Sequence, residues 1–253
     1  YVVSPYLGAY YYGFNMVKAP FKDLPELRLA LALSVDRSII TEKLTGSGEI
    51  AAFSFVPPVS GYVPQQTEWA EWSQQERNAE ARRLYAAAGY DEANPLQVEI
   101  LYNTQQNHKQ LAIAISSMWK QNLGVKTTLL NQEWKVFLQT RTDQANTEIF
   151  RSGWIGDYDD AYTFLQLLVS DNEQNDSGYK NAEYDELLVF ASRETNLTKR
   201  QEYMQQAEAL MLKDMPVMPI YFYVSKHLVK PWVKGLTPNI MDHVYTKDLH
   251  LVY

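Results

Sequence analysis

The sequence predicts an α/β fold, a mixed or parallel sheet flanked by helices. Three observations lead there. Short runs rich in β-branched and aromatic residues, such as 96–102 and 217–224, alternate with longer segments of helical spacing. Glycines stand where helices must stop, at Gly89 and Gly124. Ser73-Gln-Gln-Glu76 is a capping box, in which Ser caps a helix start and Glu reaches back to it.

In chain order, residues 9–15 alternate as a strand, and Pro20 to Pro25 form a turn. From Glu26 to about Leu44, Leu27, Ala30, Leu31, Ser34, Ile39 and Leu44 follow helical spacing, which predicts one helix ending near Gly46. Residues 50–68 hold Pro57, Pro58, Gly61 and Pro64 and read as an irregular loop before the Ser73-capped helix. Then come a strand over 96–102, a helix over 108–123 and a strand over 125–130. A helix over 133–141 and a strand over 148–153 follow, then helices near 160–170, 182–193 and 199–213. The last of these is expected to be capped by Thr198, with Gln201 in the reciprocal position. Strands over 217–224, 228–233 and 249–253 complete the reading, with no repeat and no low-complexity tract.

Composition narrows the function. A net charge of −7 with scattered Lys and Arg lacks the basic face that nucleic acid requires, so no nucleic-acid partner is expected. The 253 residues contain no apolar run near the ~20 needed to cross a bilayer. Without Cys there is no disulfide framework, thiolate nucleophile or Cys metal site, which fits an oxidising compartment. The four His (108, 227, 243, 250) form no ligand pair at helical spacing, and no metal or cofactor is implied. The 18 Tyr and 6 Trp fill cores and also line sites that grip varied ligands. The first residues, Tyr1 to Asn15, carry no initiator Met or signal pattern and read as a strand already in progress, so a longer polypeptide is expected.

Residues 150–160, Phe-Arg-Ser-Gly-Trp-Ile-Gly-Asp-Tyr-Asp-Asp, bring together a cation (Arg151), an aromatic face (Trp154) and a carboxylate (Asp157) around two glycines. A site for a zwitterion needs these groups, with exposed main chain between them. A strand ending in a polar turn, with Trp154 in the core and Asp157 capping the next helix, accounts for the same residues.

Several segments in order resemble the periplasmic oligopeptide-binding protein family, the substrate-binding proteins of bacterial ABC importers for dipeptides, oligopeptides and murein peptides. They are Leu31-Ala-Leu-Ser-Val-Asp-Arg37, Leu101-Tyr-Asn-Thr104 with His108-Lys109, and Met118-Trp-Lys-Gln-Asn-Leu-Gly-Val125. Asn131-Gln-Glu-Trp-Lys135, Arg151-Ser-Gly-Trp154 with Gly156-Asp-Tyr158, and Leu228-Val-Lys-Pro-Trp232 continue the series. The resemblance implies the C-terminal lobe of a two-lobed periplasmic-binding-protein fold. Residues 1–8 are then a crossover strand from an N-terminal lobe, 9–224 the peptide-binding lobe, and 225–253 a return segment. It also implies a periplasmic receptor without catalysis, whose partners are peptides, the permease subunits of the importer and the N-terminal lobe.

By the same resemblance, Asp157 receives the peptide α-ammonium, and Gly153, Trp154 and Ile155 pair with the peptide backbone, Trp154 also walling a side-chain pocket. Arg151 and Arg141 receive the carboxylate of a short peptide or an acidic side chain, and His108 that of longer peptides. Where relatives commonly carry Asn-Glu-Pro after Asp-Tyr, this chain has Asp159-Asp160-Ala161, a loosened and more negative turn. A murein-tripeptide receptor of the same family is the alternative. A hydrolase using Asp157 with Asp159 or Asp160 is the alternative of another class, for which no nucleophile, base and orienter can be assembled.

Overall fold

The computed structural model describes residues 1–144 and 148–252. Strand β1 (Val2–Phe14) leads to α1 (Pro25–Leu33) and α2 (Arg37–Ile39), which continues as a π-helical turn over Ile40–Thr45. Strand β2 (Ile50–Ala51), α3 (Gln74–Ala87), β3 (Gln97–Asn103), α4 (Gln106–Leu123) and β4 (Lys126–Gln132) follow. Next come α5 (Trp134–Asp143), β5 (Ile149–Ile155), α6 (Tyr162–Leu165), α7 (Ala182–Arg193), α8 (Leu197–Asp214) and β6 (Val217–His227). A small ribbon, β7 (Val233–Lys234) with β8 (His250–Leu251), ends the described chain.

The main sheet has the order β2-β6-β1-β5-β3-β4. β1 is antiparallel to both β5 and β6, whereas β3 is parallel to β4 and β5, so the sheet is mixed. Successive side chains of β1 point to opposite faces. Tyr10, Tyr12 and Phe14 enter one core with Leu31, Tyr85, Leu111, Ile115 and Trp119. Leu7, Ala9 and Tyr11 enter another with Phe164, Tyr184, Leu188, Met204 and Met211. Helices thus cover both faces. β1 is buried on both sides from Leu7 onward, and a Cβ at Gly13 would run into the Phe150 ring.

Local chemistry explains the boundaries. Ser73 and Glu76 cap α3 reciprocally, and Gly124 closes α4 at φ +74, a conformation that costs glycine little. Four expectations need correction. The single helix over 26–44 breaks at Ser34, because Asp36 accepts from Ile39 N and starts a second helix. The buried Arg37 fixes the break by donating to the carbonyls of Ala32, Val35 and Pro219. Asn196, not Thr198, caps α8, its side chain accepting from Lys199 N. The helix near 160–170 shrinks to four residues and a 3₁₀ turn over Gln166–Leu168. The strand over 228–233 survives only at Val233–Lys234, since Pro231 offers no N–H to a ladder. Of the final strand, Tyr253 lies outside the described residues.

Glu208 ties α8 to the 50–68 loop. Its fully buried carboxylate accepts from Phe55 N, Val56 N, Gln65 N and the Tyr62 hydroxyl at 3.0, 2.8, 2.7 and 2.8 Å. Burial pushes its pKa up from 4.5 to about 7, against the pull of these donors. The folded state therefore keeps a proton that the unfolded chain releases near pH 4.5. Its stabilising contribution is complete below that pH and is lost as pH rises through about 7, on the order of 3 kcal/mol in all. Thermal melts at stepped pH should show stability falling across this window, and Glu208→Gln should flatten the fall. An equal slope in the variant would remove Glu208 as its source.

Candidate functional site

The two edges of β5 are used unequally. β1 pairs along its whole length, from Gly8↔Ile155 to Phe14↔Ile149. Gly156 N donates to Leu7 O (2.8 Å), and Glu148 O accepts from Asn15 N (2.9 Å). Even-numbered main-chain groups therefore face β1, and the antiparallel alternation turns those of Arg151, Gly153 and Ile155 to the opposite edge. On that edge β3 pairs only at Ile100↔Ile149 and Leu101↔Phe150. Beyond Phe150 the strands separate, and among the described residues β5 has no strand partner there. The gap opens at the carboxyl ends of parallel strands, where open α/β sheets place ligands.

Two charged groups flank this free edge. Arg151 lies half-buried over the Tyr10 ring (4.9 Å), with long contacts of 3.4 Å to Asn103 Oδ1 and the Tyr223 hydroxyl. Its Nε has no hydrogen-bond partner, and among the described residues no carboxylate pairs with it. Beyond the strand's other end, Asp157 is exposed; its N–H donates to the buried Thr163 hydroxyl (3.2 Å). That hydroxyl also accepts from Trp154 Nε1 (3.3 Å), which seats the half-buried indole against the second core. Gly153 matters for space: a Cβ there would lie 2.9 Å from the Tyr223 hydroxyl and 3.2 Å from Ala9 O.

His108, in the first turn of α4, joins Arg151 around Tyr10, its Nδ1 being 3.2 Å from the Tyr10 hydroxyl. Burial, and then the Arg151 charge, hold its pKa down at about 3, so the ring is neutral. Arg141 does not join them. It donates to Ser152 Oγ (3.0 Å) and pairs with Asp176 (2.6 Å), and strand alternation puts Ser152 on the face opposite Arg151. The structure thus gathers Arg151, His108 and Gly153 on one face and holds Arg141 on the other.

Sequence reading missed the tyrosines that hold Arg151, although the Tyr10-Tyr-Tyr12 run on an alternating strand was the available signal. It also missed the partners of the acidic turn. Asp160 accepts Arg200 through both oxygens (2.7 and 3.0 Å), and Asp159 accepts from Ser60 N (3.2 Å) and Oγ (2.8 Å). The turn expected to be loosened by loss of proline is fastened by these contacts.

Comparison with known proteins agrees with this architecture. The family profile of the bacterial extracellular solute-binding proteins, family 5 Middle, matches residues 1–176. The chain belongs to this family. Among relatives, it is 43% identical over 252 residues to the periplasmic oligopeptide-binding protein OppA of Salmonella typhimurium, covering 99% of this chain and 46% of that protein. It is 42% identical over 250 residues to the periplasmic murein peptide-binding protein MppA of Escherichia coli, covering 98% and 46%. Among solved structures, the unliganded open form of MppA superposes with TM-score 0.91 at 40% identity, covering 99% of this chain and 48% of that one. Haemophilus influenzae OppA in complex with RPPGFSPFR gives 0.88 at 38%, covering 99% and 50%. The chain spans about half the length of the curated relatives it matches. Among its described residues no helix is long and apolar enough to cross a membrane.

The environment of His108 can be tested directly. Its imidazole resonances should stay unchanged from about pH 8 to about pH 5, because the folded pKa lies near 3. Arg151→Met removes the neighbouring charge and should raise that pKa, with burial still holding it below the usual range. A midpoint near 6.5 in the unaltered protein would contradict the geometry.

Proposed function

We propose that the chain is the peptide-gripping half of the substrate-binding receptor of a bacterial ABC importer, working in the periplasm. One observation carries the reading: among the described residues, a strand edge without a strand partner over residues 151–155, flanked by an exposed carboxylate and by a half-buried cation that pairs with no carboxylate. A peptide offers the complement of each feature, a backbone, an ammonium and a carboxylate. Added along this edge with its ammonium at Asp157, it would run antiparallel to β5 and pair with Gly153 and Ile155. Such a grip reads only what all peptides share, leaving their side chains to roomy pockets, Trp154 walling one of them.

Arg151 is the cation we assign to the carboxylate of short peptides, its planar fork suiting bidentate contact. Arg141 would have to leave Asp176 to take part. His108 serves longer peptides as a neutral hydrogen-bonding group. The reading is one of binding without catalysis, since the neighbouring acids Asp159 and Asp160 are engaged by Ser60 and Arg200. Murein tripeptide is the second candidate ligand, favoured by a named murein-peptide relative that is as similar as the oligopeptide-binding one, 42% against 43%.

A second lobe, from the remainder of the polypeptide, is proposed to close over the ligand, and the permease subunits to receive it. Residues 1–8 and 225–253 are the proposed crossings. The pairing of Val2–Pro5 with Val224–His227 as a two-stranded ribbon supports this.

Asp157→Ala in the complete protein should weaken peptide binding by roughly 2–5 kcal/mol, the cost of leaving an ammonium unpaired in a closed cleft. Calorimetry with a free-amino pentapeptide measures it. Unchanged affinity would sink the assignment.

A further inference from the structure

Among the described residues, the Asp157 side chain makes no hydrogen bond or ion pair that would hold its turn in place, so its aim depends on the residues around it. Those residues lead to α8 along two routes. Asp160 takes the guanidinium of Arg200, in the first turn of α8, through both oxygens, while its Oδ1 also accepts from Tyr162 N (2.8 Å). The Arg200 guanidinium lies 5.9 Å from the Tyr162 ring centroid. Asp159 takes both the main-chain N–H and the hydroxyl of Ser60. Ser60 sits on the 50–68 loop, and that loop is fastened to the same helix.

The fastening is extensive. Glu208 collects three main-chain N–H groups and the Tyr62 hydroxyl from the loop. Gln201 donates to Gly61 O, next to Ser60, and Gln205 donates to Val63 O at 3.2 Å. Positions 201, 205 and 208 follow each other at helical spacings of four and three, so one stripe of α8 carries all three loop contacts. Irregular backbone, even with three prolines, would otherwise have many shapes available. Here its polar groups converge on a single buried carboxylate.

We infer that α8, through Glu208 and Arg200, is a positioning element for ammonium recognition: it clamps the turn bearing Asp157 from both sides, by Arg200–Asp160 directly and by Glu208–loop–Ser60–Asp159. Neither Glu208 nor Arg200 touches the ligand. The inference rests on Asp157 being the ammonium receiver. It assigns the two acids at 159 and 160, followed here by Ala161 where the family has proline, to holding this turn, not to chemistry.

The test compares two ligands in the complete protein, a pentapeptide with a free amino terminus and the same peptide acetylated there. The ratio of their affinities reports how well Asp157 is aimed, and a general loss of structure would lower both affinities without changing the ratio. Ser60→Ala combined with Arg200→Ala should lower the ratio roughly tenfold, with the acetylated peptide unaffected. Arg200→Lys, which keeps a charge but loses the fork, should restore part of it. Glu208→Gln should lower the ratio in the same direction; should that variant fail to fold, the Ser60 and Arg200 variants decide alone. An unchanged ratio, or equal losses for both peptides, overturns the clamp. Asp157→Ala is run beside them. If it leaves the ratio intact, the ammonium assignment itself falls; if it collapses the ratio while the clamp variants do not, only this inference falls.

Discussion

β1 occupies both of its edges, pairing with β6 on one side and along all of β5 on the other, while β3 meets β5 at two positions. The site depends on this inequality. A strand paired fully on both edges has no main-chain group left for a ligand, and one unpaired on both would not hold its shape. β1 can serve as the rigid side because it is buried on both faces, its aromatic residues divided between two cores. β3 leaves β5 after Phe150, while β5 runs on to Ile155. The result is a short length of fixed edge beside a gap.

The charges obey a similar division. Arg37 is a fully buried cation with three carbonyl acceptors at 2.8, 3.0 and 3.2 Å, and Phe53 and Trp69 lie within about 5 Å of its guanidinium. Its Nε and Nη1 are engaged, although its buried Nη2 has no hydrogen-bond partner among the described residues, and it holds the break between α1 and α2. Arg151 is only partly buried, and its two hydrogen bonds are 3.4 Å long while its Nε has none. A partly desolvated guanidinium with an unused donor favours an arriving anion more strongly than the same group in water does. The Tyr10 face beneath it supplies part of the missing stabilisation and keeps the group aimed.

Much of this was legible in the sequence. The Ser73 capping box and the Gly124 stop are local signals, and the structure uses them as local chemistry dictates. Asp157, Arg151 and Gly153 stood out because six ordered segments fixed their context. What failed was information carried by distant partners. Arg37 looks like any helix residue until Pro219, 182 positions on, accepts from it. The roles of Asp159 and Asp160 depend on Ser60 and Arg200, 99 and 40 positions away. The separation of Arg141 from Arg151 was nearer to hand. Period-two alternation already put Ser152 and Arg151 on opposite faces, but only the structure shows that Arg141 reaches Ser152.

The acidic turn shows how one mechanical requirement can be met by different physics. A proline stiffens a turn by fixing φ, whatever the solvent. In its place this chain has an ion pair, Arg200–Asp160, whose side chains are 22% and 30% exposed. A single pair this open contributes little to global stability, and salt weakens it. Its bidentate geometry still restricts orientation, and it does not act alone, since Asp159 ties the same turn to a loop that Glu208 holds from a fully buried position. The turn is therefore stiff through the sum of contacts to one helix. Under the proposed clamp, the aim of Asp157 depends on ionic strength at Arg200 and on pH at Glu208, two sensitivities that a proline turn does not have.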